Sequence, residues 1–172
     1  MNWVTPLATL IGAVVGVGSA LLVERFRWTR DREKDRAQQR REVYIEFLMA
    51  LSQSHSSMRS TVLQAGDDPE SRRYLALHEA FDGSGLWRFR QSLSLTAPAD
   101  IIKLAVDTCD ALAAVRDTLV ATPDIRSDAY VRAREDLWRT NAELRESMRK
   151  DLGMDGPPDP EVARYRELEG RS

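Results

Sequence analysis

Two histidines, one cysteine and a Trp-Arg-Phe-Arg run are the residues whose types invite chemistry in this sequence. His55 falls on an apolar helical seam, where a hydrogen-bonded core histidine is the ordinary role; a base or ligand role would need carboxylates beside it. His78-Glu79 opens like the zinc-protease motif, which requires a second histidine four residues after the first. Asp82 stands there, so the motif fails. Cys109 lies in an alanine-rich stretch with no neighbouring cysteine or basic residue, as expected of a packed, inert thiol. Gly83-Ser84-Gly85 lacks the lysine and the length of a phosphate-cradling loop. No nucleophile elbow and no paired-cysteine metal pattern occurs, and the acidic residues mostly fall on helix exteriors. We therefore expect no enzymatic activity, no cofactor and no metal. Trp87, Arg88, Phe89 and Arg90 interleave aromatic and cationic side chains and form a candidate partner-binding patch for phosphate, headgroups or protein. The plainer alternative packs both aromatics inward and lets the arginines reach out.

The elements that must position these residues are marked by charge. Residues 1–23 carry no charged side chain. Residues 24–41 carry eight Arg or Lys against four Asp or Glu, a net +4; the whole chain is −2, so the remainder holds −6. A neutral head, a basic neck and an acidic body imply three different surroundings. The net negative charge argues against a dedicated nucleic-acid binder, which would show a basic face across the fold. A single cysteine forms no internal disulfide and suits a reducing cytosol.

From Val4 to Val23 the only polar side chains are Thr5, Thr9 and Ser19. About twenty helical residues cross the ~30 Å hydrocarbon core of a bilayer. Thr5-Pro6 is a good helix start, and Trp3 and Trp28 bracket the run as interfacial indoles do. We expect residues 1–23 to be a transmembrane helix in the cell (inner) membrane. The basic side carries Arg25, Arg27 and Arg30, suited to lipid headgroups, so the body is expected in the cytoplasm and the N-terminus outside. A cleaved signal peptide would use Gly18-Ser19-Ala20, but it lacks a basic start and is followed by a basic block. Ala8, Gly12, Gly16 and Ala20 recur every four residues, a stripe that lets membrane helices pack closely and predicts self-association.

Residues 24–41 form helix without Gly or Pro and are read as a stalk. The first helix is expected from about Thr5 to Gln64. Beyond Glu42, Tyr44, Leu48, Leu51, His55, Met58 and Val62 recur at steps of four and three, with Ile45 and Phe47 widening the face. Asp68-Pro69 opens a second helix over 70–81, with Tyr74, Leu77 and Phe81 inward. Residues 86–95 read as helix or extended linker, since a lone strand would have no partner. Pro98 opens a helix that Thr122-Pro123-Asp124 ends; its apolar face carries Ile101, Leu104, Ala105, Leu112, Val115 and Leu119. Ser127 or Asp128 starts the last helix, with Tyr130, Leu137, Leu144 and Met148 inward, and Gly153 onward ends it. Residues 42–152 are thus expected to be an all-α antiparallel bundle, and residues 153–172 a mobile charged tail. Pro160–Leu168 is a candidate short helix within it.

The order of an apolar span, an arginine-rich stalk ending in RREVYIEFLMAL, and LSLTAPADIIKLA leading into an alanine-rich helix resembles uncharacterised single-pass membrane proteins of actinobacteria. Twenty-two arginines against three lysines suit a GC-rich genome. The resemblance implies a membrane protein and carries no activity and no functional residue. The expected function is a membrane-anchored scaffold whose bundle binds a protein partner and whose span self-associates. The alternative is an oligomeric pore-forming or membrane-perturbing subunit.

Overall fold

The computed structural model describes residues 4–65, 70–154, 156, 157, 160, 162 and 163, and within the first helix the side chains of Trp28 and of residues 32–64. Among these residues the protein is all-helical, with no strand. Five helices follow in order: α1 (Val4–Ala65), α2 (Glu70–Asp82), α3 (Leu86–Thr96), α4 (Ala99–Ala121) and α5 (Asp128–Asp151). The chain divides into two units, residues Met1–Gln39 and Arg40–Ser172.

In the first unit the described side chains from Arg32 to Arg36 are exposed, and the Arg32 guanidinium lies 5.8 Å from the Trp28 ring centre. Among the described residues no helix is long and apolar enough to cross a membrane. The side chains of the expected span and its basic edge lie outside the described residues. These include Trp3, Ala8, Gly12, Gly16, Ala20, Arg25, Arg27 and Arg30, and Asp68-Pro69 lies outside them too.

The second unit holds a bundle-like core. The α1 seam buries Tyr44, Leu51, His55, Met58 and Val62, as its spacing predicts, and Phe47 joins them, while Leu48 of the same seam is only half-buried. Ile45 does not: it is half-exposed at the edge of that face. Tyr74 departs in the same way. It sits exposed on α2, its ring tilted against that of His78 with centres 4.7 Å apart, while Leu77 and Phe81 carry the burial. Segment 86–96 is helix, so five helices form where the sequence marks four with certainty. Leu86 and Leu93, seven residues apart, fall on one helical face and both bury.

Long-range bonds fix how these helices run. Tyr44 on α1 donates to Asp151 at the end of α5 (2.7 Å), while His55, three turns on, meets Tyr130 near the start of α5 (3.2 Å). Hence α1 and α5 run in opposite directions. Ser147 reaching Asp100 (3.4 Å) sets α4 against α5 likewise. Ser54 donates to the Phe81 carbonyl (3.0 Å), pinning α2 to α1. Arg73 donates to the Val120 carbonyl (3.3 Å) and so covers an open C-terminal group of α4.

Local chemistry sets the helix ends. The Ser127 hydroxyl accepts from the Tyr130 backbone N–H (3.3 Å), capping α5. At its other end Gly153 takes φ +66°. The Gly153 N–H donates to the Lys150 carbonyl (3.0 Å) and the Met154 N–H to that of Arg149 (2.9 Å). This paired turn requires a left-handed residue, which glycine supplies without a side-chain clash. Beyond it, Val162 is buried and Pro160, Val162 and Ala163 are helical. Part of the expected tail therefore packs; residues 164–168 of the candidate helix lie outside the described residues.

Candidate functional site

His55 is buried between α1 and α5. Its Nε2 lies 3.2 Å from the Tyr130 hydroxyl, its ring lies nearly parallel to that of Tyr130, and Trp138 meets it edge-on at 5.3 Å. Burial, reinforced by Arg59 and Arg134, lowers its pKa from 6.5 to about 4, so it is neutral at physiological pH. Burial likewise raises the Tyr130 hydroxyl above its ordinary range. Two neutral, mutually bonded groups in an apolar setting hold helices together; no charged base is poised there.

The other reactive types are similarly placed. Cys109 is buried and its thiol is pushed up to about 11, chiefly by burial. Thiolate is the reactive species. Alkylation by iodoacetamide near pH 8 is therefore expected to run roughly a hundredfold slower than for a free thiol. Urea should restore the rate; fast labelling of the folded protein would contradict the burial. Among the described residues no group of three His, Cys, Asp or Glu is placed to hold a metal ion.

The Trp87–Arg90 run is brought together only in part. Trp87 and Arg88 point outward, and the Arg90 guanidinium stacks on the Trp87 ring at 4.6 Å. Phe89 turns toward the core and packs against it. Arg90 and Trp87 thus wall a crevice of about 20 Å³ over Cys109 and Phe81, too small for more than a methyl-sized group. The outward face of α3 continues to Leu95, which is 87% exposed.

A larger feature escapes sequence reading. Where α1 and α5 run side by side near Asp151, they leave a groove of about 190 Å³. Tyr44, Leu48, Met148 and Leu152 form its floor, and the half-exposed Ile45 and Met154 its lips. Arg41, Arg145 and Arg149 line its rim. The left-handed turn at Gly153 places Met154 there. Asp151 faces inward instead: it accepts from Tyr44 and lies 3.0 Å from the Arg40 Nε. The partial signals were the Gly153 stop and the Ile45 flank. Their convergence joins residues about a hundred positions apart, which no local pattern encodes. The groove is thus apolar at its floor and lips, with three arginines at its rim. No protein-family model matches the chain, and neither does any curated protein or solved structure.

Proposed function

We propose that the protein is a single-pass, membrane-anchored recruitment factor without a reaction of its own. In this reading residues 1–23 lie in lipid and residues 24–41 meet anionic headgroups. The helical body stays in the cytoplasm, and the Ala8, Gly12, Gly16 and Ala20 stripe pairs copies of the span. One observation carries it: twenty-three residues without a charge are followed by eighteen with a net +4. Charged groups are excluded from hydrocarbon at a cost of several kcal/mol, and arginines stay on the cytoplasmic side. Tethering then acts by mass action, raising the effective concentration of whatever the body binds. The bundle-like body with exposed apolar surfaces supports a binding role.

Fractionation of cells making the full chain with a C-terminal tag tests this. The chain is expected in the membrane fraction after an alkaline wash, with its tag reached by protease only after the cells are opened. Recovery in the soluble fraction, or a tag digested in intact cells, overturns the reading. Gly12→Leu with Gly16→Leu is expected to reduce oligomer size in detergent without releasing the chain from the membrane.

A further inference from the structure

We infer that the α1/α5 groove is the partner-binding site, and that its occupant is an acidic amphipathic helix. The inference deepens the recruitment reading and takes its setting from it. Three observations select the occupant. First, the volume of about 190 Å³ is below the ~300 Å³ from which small-molecule pockets usually begin. The groove therefore admits one or two side chains of a segment lying over it. Second, its surface is apolar and methionine-rich, with Met148 beneath and Met154 on the lip. Methionine adapts its shape to leucine-sized anchors. Third, the charged side chains described at its rim are all cationic. Arg41, Arg145 and Arg149 line the groove, and no carboxylate does so among the described residues.

Two nearby carboxylates are engaged elsewhere. Asp151 is held by Tyr44 and Arg40, and Glu146 lies 3.6 Å from Lys150. Arg149 spends one edge on the Pro157 carbonyl (3.4 Å), which leaves other donors of its five-donor fork to face a ligand. A helix that seats leucines at i and i+4 and flanks them with glutamates matches all three features.

The test uses full-length protein in detergent and a labelled synthetic helix with leucines at i, i+4 and i+7 and glutamates on both flanks. A counterpart peptide carries lysine at every glutamate. The glutamate peptide is expected to bind at least ~10-fold tighter, less so as salt rises. In Arg41→Glu with Arg149→Glu the preference should invert toward the lysine peptide. Ile45→Ser with Met154→Ser, both on the surface, should weaken both peptides about tenfold, with the unfolding midpoint unchanged. Equal binding of the two peptides, or a preference unmoved by the arginine reversals, overturns the inference. So does failure of the glutamate peptide to bind. A chain that stays in the membrane fraction but binds no glutamate peptide refutes the groove alone. A chain that is soluble yet passes the charge-swap test refutes the anchoring alone.

Discussion

Replacing Tyr130 with alanine is expected to destabilise the helical body by about 4 kcal/mol. Tyr130 is among the largest side chains that are fully buried, with about 1% of its surface exposed. Its loss leaves a cavity between α1 and α5 and removes the partner of His55 Nε2, 3.2 Å away. A domain of this size has a total stability of about 5–15 kcal/mol, so the variant should lose roughly a quarter to four-fifths of it. Tyr130→Phe separates the two contributions. It keeps the ring and strands only the buried imidazole nitrogen, at a cost of about 1–2 kcal/mol. Urea unfolding followed by circular dichroism measures both. An alanine variant within about 1 kcal/mol of the parent would falsify the α1–α5 packing described above.

Acid should weaken the fold through His55. The unfolded imidazole takes its proton near pH 6.5 and the folded one only near pH 4. The unfolded state therefore binds more protons between those values, and stability falls as the pH drops through that window. The His55 contribution is complete above about pH 6.5 and gone below about pH 4. The shift corresponds to at most about 3.4 kcal/mol, and to roughly 2–3 kcal/mol once partial solvent screening is counted. Burial is the main cause, and Arg59 and Arg134 add to it. Carboxylates titrate in the lower part of the same window, so the informative quantity is the difference between the parent and His55→Gln. The parent should lose more stability than the variant from pH 6.5 to 4. Parallel pH profiles would show that His55 is solvated and free to charge.

Much of the architecture is local and was readable. Helix ends need particular backbone angles and free N–H or C=O groups, and a few residue types supply both. Gly83–Gly85, Pro98, Thr122–Asp124, Ser127 and Gly153 therefore mark the ends of α2 to α5 within a residue or two. The inward faces also follow from period. Tyr44, Leu51, His55 and Met58 on α1, and Tyr130, Leu137, Leu144 and Met148 on α5, are all buried. His55 takes the hydrogen-bonded core role that its place on an apolar seam implies.

The width of each face was not readable. Ile45 and Tyr74 have the right residue type beside a buried stripe, yet both are exposed, because width depends on how many neighbouring helices arrive to cover it. The Trp87–Arg90 run shows the same limit: adjacency in sequence grouped four side chains, and the helical turn of 100° per residue separated Phe89 from the outward Trp87.

By itself, then, the sequence determined where charge is absent, where helices start and stop, and which stripe of each turns inward, since these depend on neighbours within one or two turns. Only the tertiary structure decided that segment 86–96 closes as a helix on Leu86 and Leu93 and that Tyr130 reaches His55. It alone also decided that Arg41, Arg145 and Arg149 share one apolar groove. Those outcomes depend on which distant surfaces exclude water from each other, and that is a property of the packed chain.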